Sequence, residues 1–191
     1  IEVSGNYAYV ASTDNSEELQ IIDVSNPASP IQVGVYNASG NANGNAVGLN
    51  DTMAYLVRAS SNQNEFIALD VTNKTVPVML GSLNLGDNAN EIKVLGTYAY
   101  VASDSNSQEL QIVSITNPAS LALVGSYNIP SSDNGKIVAV FANTVIVGTL
   151  GSGDLHIFDV ATPTSPIQMG FYTMSQAIFF VLGKWMQFPR R

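Results

Sequence analysis

The sequence predicts an all-β fold: a β-propeller of about four four-stranded blades, or an arc of a larger ring. Three observations predict it: a motif that returns about every 45 residues, four strand-like segments in each period, and turn residues between those segments. Periods of this length are typical of blades and other repeat arrays. Asn is abundant, with 19 copies in 191 residues, and it favours turns because it tolerates left-handed backbone.

Three landmarks share the period. The segment Leu-Gln-Ile-Ile-Asp-Val-Ser-Asn-Pro at 19–27 returns in related form at 66–74, 110–118 and 155–163. The Ala-Tyr-Val block at 8–10 returns at 54–56, 99–101 and 145–147, and glycines follow at 34, 81, 125 and 170. The landmarks divide residues 1–183 into repeats of about 1–45, 46–90, 91–135 and 136–176, with a partial fifth first strand at 177–183. Residues 184–191 form an atypical tail.

The third period justifies the blade element by element. An apolar run at 92–95 is the first strand, and Gly96-Thr97 turns the chain into a second strand at 98–103. A polar loop at 104–107 leads to a third strand at 110–115. A turn containing Pro118 leads to a fourth strand at 121–127, followed by a connecting loop at 128–135. Four short strands without a helical period favour a propeller blade over a helical repeat.

The repeated residues also carry a family resemblance. The pattern Leu-x-Ile-[Ile/Val]-Asp-Val-[Ser/Thr]-Asn-Pro, followed by Ala-Ser-Pro and Val-Gly-x-Tyr, resembles the LVIVD repeat. The first copy, 1–36, matches best, whereas Lys74 replaces the expected Pro and Ser114 replaces the expected Asp. The resemblance implies a β-propeller from a bacterial or archaeal cell-surface protein, so an extracellular or cell-surface location is expected.

Charge and composition exclude several classes of function. The chain has 7 basic and 15 acidic residues, a net charge of −8, and three of the bases lie in the tail. Because a phosphate-backbone binder needs clustered positive charge, no nucleic-acid partner is expected. There is no Cys, hence no disulfide or thiolate site, and no apolar run approaches the ~20 residues of a transmembrane helix.

Residues that every repeat contains are expected to be structural. The repeated Asp23, Asp70 and Asp159 end a strand before a turn, where a carboxylate can accept turn N–H groups. The repeated tyrosines are expected to pack between blades: Tyr9, Tyr55, Tyr100, Tyr36, Tyr127 and Tyr172. His156, the single histidine, lacks the partners of a metal or nucleophile site, so no metal or other cofactor is predicted.

Residues that break the repeat are the candidates for function. The variable loops of a propeller meet on one face, here 37–45, 84–90 and 128–135 together with 12–17, 59–64, 103–108 and 149–153. The ligand-binding candidates in or beside these loops are Arg58, Asp104, Asn43 and Asn90. Arg58 replaces a Ser or Thr of the other copies, and either binds an anionic group or neutralises neighbouring carboxylates. Glu2 and Lys93 share a first-strand column and either line a central channel or pair with adjacent blades.

The favoured function is a non-catalytic binding or adhesion scaffold of an exported cell-surface protein, with a protein or glycan partner at the polar loop face. The alternatives are a propeller enzyme, a hydrolase or lyase with a site on that face, and a purely structural spacer. Further blades of a longer parent chain are expected, although a strand at 177–182 could instead close a small ring.

Overall fold

The computed structural model describes residues 1–130, 133–151 and 154–174, and the regular elements among them are all strands. Blade 1 contains β1 (Glu2–Ser4), β2 (Tyr7–Ala11), β3 (Leu19–Asp23) and β4 (Ile31–Tyr36); blade 2 contains β5 (Gly44–Asn50), β6 (Met53–Arg58), β7 (Phe66–Asp70) and β8 (Val78–Leu83). Blade 3 contains β9 (Ala89–Leu95), β10 (Tyr98–Ser103), β11 (Leu110–Ser114) and β12 (Ala122–Tyr127); blade 4 contains β13 (Asn134–Phe141), β14 (Thr144–Leu150), β15 (Asp154–Asp159) and β16 (Ile167–Thr173). The fifth strand predicted at 177–183 and the tail at 184–191 lie outside the described residues.

Each blade is one antiparallel sheet whose four strands follow chain order. The first two strands of every blade are joined by a two-residue hairpin whose first residue has positive φ: Gly5 (57°), Asp51 (52°), Gly96 (61°) and Ala142 (51°). Such backbone suits hairpin turns because its twist matches that of the flanking strands. The predicted all-β propeller architecture is therefore confirmed in four successive blades. The described residues contain no helix long and apolar enough to cross a membrane.

The hydrophobic core lies between blades. Strand residues alternate, so the forward face of one blade packs on the backward face of the next. Blades 1 and 2 share a cluster around Tyr9 and Leu56, blades 2 and 3 one around Tyr55 and Ile92, and blades 3 and 4 one around Tyr100. Tyr9, Tyr55 and Tyr100 are 1–4% exposed, as packing between blades requires. Tyr172 departs from that prediction, because it is 65% exposed on blade 4.

The repeated aspartates cap turns, as predicted. The Oδ1 atoms of Asp23, Asp70 and Asp159 each accept the backbone N–H two residues on, at 2.8 Å. Where blade 3 has Ser114, its hydroxyl lies 3.3 Å from the Thr116 hydroxyl instead. The turns after the third strands, at 26–29, 73–76, 117–120 and 162–165, define what we call the turn face.

Glycines in the fourth strands allow blades to approach closely. A Cβ on Gly34, Gly81 or Gly125 would overlap the carbonyl oxygen of residue 74, 118 or 163 in the turn of the next blade. Any side chain there would push two blades apart. The fourth member of the column, Gly170, has no described atom within 4 Å of the position that a Cβ would take.

Candidate functional site

The connecting loops and the second-strand ends adjoin on the face opposite the turns, which we call the loop face. Ala59 N–H donates to the Asn43 carbonyl and Asp104 N–H to the Asn88 carbonyl, both at 2.9 Å. These bonds bring each connecting loop beside the end of the second strand that follows it. In blades 2 and 3, the described variable loops therefore adjoin on one face.

A row of β-bulges lies beside this face. In each of blades 2, 3 and 4 the first strand carries one extra residue near its start: Asn45, Asn90 and Lys136. A bulge redirects the side chain of the extra residue. Asn45 Nδ2 donates to the Ala89 carbonyl at 2.8 Å, and Asn90 Nδ2 donates to the Gly135 carbonyl at 2.7 Å. The two asparagines thus join successive blades.

Lys136 departs from this pattern and contacts Asp104. Its ammonium group forms an ion pair with Asp104 Oδ1, which also accepts Asn90 Nδ2 at 2.6 Å. The other oxygen, Oδ2, accepts Asn88 Nδ2 at 3.0 Å. The structure therefore brings together two predicted residues, Asp104 and Asn90, with two that sequence reasoning missed. We call these four residues the Asp104 cluster.

The Asp104 carboxylate is held in its ionised form. Burial would raise its pKa, but the Lys136 ammonium and the amides of Asn90 and Asn88 outweigh burial and lower the pKa below its usual range. The Asp104 side chain is 15% exposed and that of Lys136 is 31% exposed. A carboxylate with this many donors suits recognition better than proton transfer, because a general acid or base needs a pKa near the working pH.

Arg58 is buried and is not exposed on the loop face. It is 1% exposed, its Nε donates to the Asn64 carbonyl at 2.8 Å, and one terminal nitrogen donates to the Ser39 carbonyl at 2.7 Å. The guanidinium group therefore ties the loop between blades 1 and 2 to the loop after β6. This geometry supports a structural role for Arg58, and the two roles expected from sequence, a ligand contact and neutralisation of carboxylates, stay predictions.

Asn43 is exposed in the connecting loop that leads into blade 2, where its backbone carbonyl accepts Ala59 N–H. It is the counterpart of Asn88, whose side-chain oxygen accepts Ser60 N–H at 2.6 Å. Asn88 thus links the loops of blade 2 to the Asp104 cluster. Asn43 belongs to the same face but not to that cluster.

Glu2 and Lys93, on the first strands of blades 1 and 3, form an ion pair. Lys93 Nζ lies 2.8 Å from Glu2 Oε1 and 3.6 Å from Glu91 Oε1. Burial lowers the pKa of Lys93, but the two glutamates outweigh it and raise the pKa above its usual value. The pair joins blades 1 and 3 across Gly48 in a cleft of about 370 Å³ that β1, β5 and β9 line. The ion pair therefore joins blades 1 and 3 and not adjacent blades, and the lining of a central channel by these two residues stays a prediction.

His156 is buried, in keeping with a structural role. Its Nδ1 lies 3.2 Å from Gln168 Nε2, and its ring stacks on Phe171 at 6.1 Å. Burial lowers the pKa of His156 below its usual value, despite the nearby carboxylates of Asp154 and Asp133. In the part of the chain that the structure describes, no three His, Asp or Glu residues are grouped closely enough to hold a metal ion.

A column of buried glutamates escaped the sequence analysis. Glu18, Glu65 and Glu109 are 0–1% exposed, and each Oε2 accepts a backbone N–H 20 residues on, from Ala38, Leu85 and Ile129 respectively, at 2.8 Å. Asp154 occupies the position in blade 4. The column lies five residues before the repeated Asp position, so its regular spacing could have revealed it. These carboxylates fasten each blade to the loop that leaves it.

Comparison with known families agrees with the repeat. A family model described as "LVIVD repeat" matches residues 1–38, 59–84, 86–129 and 149–174, which is most of the chain. The chain belongs to the LVIVD repeat family. The matched segments leave out residues 39–58 and 130–148, which include the loops leading into blades 2 and 4 and most of the first two strands of each of those blades, so both Lys136 and Arg58 lie outside the LVIVD matches. A comparison with curated proteins finds no match.

Solved structures share the fold of these LVIVD blades at low identity. A protein from Lactobacillus plantarum aligns with a TM-score of 0.73 at 14% identity, over 87% of this chain and 52% of its own. BamB from Moraxella catarrhalis aligns with a TM-score of 0.63 at 18% identity, over 92% of this chain and 48% of its own. The computationally designed protein Ika8 aligns with a TM-score of 0.67 at 8% identity, over 90% of this chain and 47% of its own. The chain therefore spans about half the length of these three chains.

Proposed function

We propose that the chain is a non-catalytic protein-binding scaffold whose contact surface is the loop face around the Asp104 cluster. The observation that carries the proposal is that two charged residues break the repeat at one place. Asp104 stands where the other copies have Thr13, Ala59 and Leu150, and Lys136 stands where they have Asn45 and Asn90. Repeated positions serve every blade, whereas neighbouring departures on a rigid scaffold favour a specific surface.

The chemistry of the surface supports recognition over catalysis. Asp104 keeps its charge with three donors around it, and Asn88 and Asn90 add amide groups that can both donate and accept. The exposed Asn43 and Asn106 extend the polar surface over the neighbouring loops. A protein partner covers about 800 Å² in a standard interface, and such a partner would contact the loops of more than one blade.

We also propose that the chain acts outside the cell, as part of an exported cell-surface protein. The support is its membership of the LVIVD repeat family, since the resemblance to that family implies a cell-surface protein. Protease treatment of intact source cells tests this location. Digestion of the chain on intact cells is the expected result, and protection until the cells are lysed would contradict it.

Two matched variants test the binding face. Asn43→Arg with Asn106→Arg adds two charges to the loop face, and Ser29→Arg with Ser120→Arg adds two charges at exposed positions of the turn face. The purified chain is first screened against arrays of extracellular proteins and of glycans, and the affinity for any protein it binds is measured by biolayer interferometry. We expect the loop-face variant to lose at least about tenfold in affinity, which corresponds to about 1.4 kcal/mol. The turn-face variant should keep its affinity, because only the loop-face variant places charge in the proposed contact surface.

Three outcomes would contradict the proposal. Equal losses in both variants would mean that the contact surface lies elsewhere. Binding confined to the glycan array would replace the protein partner with a carbohydrate. Absence of binding to either array would favour the structural spacer.

A further inference from the structure

A second group of charged residues departs from the repeat, around the cleft that β1, β5 and β9 line. Glu2 and Lys93 stand in a first-strand column that a glycine and an alanine complete in the other blades. Asp51 stands in the hairpin after β5, where the other blades have glycine or alanine. Because positions that serve every blade keep their residue type, charged departures grouped at one cleft favour a specific role there.

The charged groups of the cleft lie at two levels along its strands. At the inner level, Lys93 Nζ lies 2.8 Å from Glu2 Oε1, across Gly48 of β5. Asp51 forms the outer level, and it follows Gly48 by three residues, which corresponds to roughly 10 Å along a strand. The residues directly after the inner level give the cleft an apolar wall: Val3, Leu49 and Val94.

Negative charge and hydrogen-bond acceptors are in excess in this cleft. The lining contains two carboxylates, Glu2 and Asp51, and one ammonium group, Lys93. Lys93 Nζ also lies 3.6 Å from Glu91 Oε1, and because Glu91 offsets its charge, Glu2 can pair with a second ammonium group. Asp51 is exposed and the Glu2 side chain is 34% exposed, so a ligand can reach both carboxylates. A ligand that fits therefore supplies positive charge and hydrogen-bond donors.

The cleft lies toward the turn face, away from the Asp104 cluster. The hairpin that contains Asp51 adjoins the end of β7, because Val71 N–H donates to the Thr52 carbonyl at 2.8 Å. The Asp104 cluster includes Asn90 near the start of β9, whereas Val94 of the cleft lies near the end of that strand. A ligand in the cleft therefore leaves the loop face free.

We propose that this cleft binds a short aliphatic diamine, with one ammonium group at Glu2 and the other at Asp51. The methylene chain lies along the apolar wall, and each end makes a charge-assisted hydrogen bond to a carboxylate. The cleft volume of about 370 Å³ is in the size range of small-molecule sites. A calcium ion fits less well, because it takes six or more oxygen ligands, and the two lining carboxylates lie at separate levels.

Isothermal titration calorimetry of the full chain with cadaverine, a five-carbon diamine, tests the proposal. Pentylamine has the same carbon chain with a single ammonium group, pentanediol has no charge, and Mg²⁺ has the charge of the diamine without the carbon chain. We expect cadaverine to bind saturably with a Kd of about 1 mM or tighter. Pentylamine should bind at least about threefold more weakly, because it makes one ion pair fewer.

Two matched variants locate the binding. Asp51→Asn removes a carboxylate of the cleft and keeps the hairpin, because Asn tolerates the positive φ of 52° at this position. Asp159→Asn removes the same charge from a turn of blade 4, outside the cleft lining. We expect Asp51→Asn to bind cadaverine at least about threefold more weakly than the wild-type chain does, and Asp159→Asn to bind it equally well. Circular dichroism of each variant confirms that a loss of binding is not a loss of fold.

Three results would overturn the proposal. The first is a lack of saturable cadaverine binding up to about 10 mM, well above the expected Kd. The second is equal affinity for cadaverine and for pentylamine, pentanediol or Mg²⁺, which would show that the two ammonium groups on one carbon chain are not recognised together. The third is an equal loss in Asp51→Asn and Asp159→Asn. Because the cleft and the Asp104 cluster are separate, each of these results is independent of the test of the loop face.

Discussion

At the scale of single residues, the buried glutamate column is the sharpest test of how blades are fastened together. Glu109 is fully buried; its Oε2 accepts Ile129 N–H, and its Oε1 has no partner among the described residues. Glu109→Ala removes the acceptor, so we expect the free energy of unfolding to fall by about 1–3 kcal/mol, the cost of an orphaned buried N–H group. Urea unfolding at pH 7 measures it, and a loss below about 0.5 kcal/mol would contradict the role.

The pH dependence of the same site follows from burial. Burial raises the pKa of Glu109 despite the Ile129 hydrogen bond, so the folded state holds this proton more tightly than the unfolded state does. The corresponding stability is present below the unfolded pKa of about 4.3 and is lost as pH rises through the folded pKa. Glu109→Gln cannot ionise, so the stability of the wild-type chain minus that of Glu109→Gln should decrease from pH 4 to pH 7. An increase over that range would show that the ionised form is the favoured one.

Arg58 also acts through the backbone groups it holds. Its guanidinium group donates to the carbonyls of Ser39 and Asn64, both in loops. Arg58→Ala should lower the free energy of unfolding by about 2 kcal/mol or more, because two carbonyls lose charged donors. Thr149 occupies the equivalent position in blade 4, so Thr149→Ala serves as the matched variant with a smaller expected loss. Equal losses in thermal denaturation would contradict the structural role of Arg58.

Sequence reasoning predicted the roles of residues with local partners better than the roles of residues whose partners lie far away in the chain. The turn-capping role of Asp23 follows from a local pattern, because its partner is two residues away. Arg58 was expected at the mouth, since its place at a strand end does not reveal which loops fold over it. The Asp104–Lys136 pair joins residues 32 apart and depends on a bulge of one residue, which strand alternation does not disclose.

At the scale of elements, the fourth-strand glycines set how closely one blade approaches the next. Gly125→Ala would press a methyl group against the Pro163 carbonyl, so we expect a loss of about 1–3 kcal/mol in the free energy of unfolding. Gly170→Ala is the matched control, since no described atom lies within 4 Å of its methyl group, and it should change stability by less than about 0.5 kcal/mol. Urea titrations compare the stabilities of the two variants. Equal losses in Gly125→Ala and Gly170→Ala would contradict the account that Gly125 allows close approach of two blades.

The strands themselves were predictable because each blade repeats the same pattern of apolar strand residues and turn residues. The predicted strands of the third period, 92–95, 98–103, 110–115 and 121–127, correspond to β9 to β12 with small shifts at the ends. β9 begins earlier, at Ala89, because the bulge at Asn90 lets pairing continue past the apolar run. Element boundaries at bulges depend on hydrogen bonds to the neighbouring strand and blade, which apolar patterning does not record.

At the scale of the whole molecule, the hydrophobic contacts between blades join neighbouring blades, and the Glu2–Lys93 ion pair adds a contact between blades 1 and 3. Among the described residues, blades 2 and 3 pack against a neighbouring blade on both faces, whereas blades 1 and 4 each pack against one on a single face. In repeat proteins built this way, units at the ends open more readily than units in the middle. The period, which the sequence reveals, predicts this order of blade opening, whereas the 65% exposure of Tyr172 on blade 4 required the structure.

Hydrogen exchange of the purified chain tests this account most directly, because it measures how readily the backbone hydrogen bonds of each strand open. We expect amides of β7 and β11, in the two central blades, to exchange at least about tenfold more slowly than those of the equivalent strands β3 and β15. The physical reason is that each central blade must break two inter-blade contacts to open, and each end blade only one. Equal protection of the amides of β3, β7, β11 and β15 against hydrogen exchange would contradict the account.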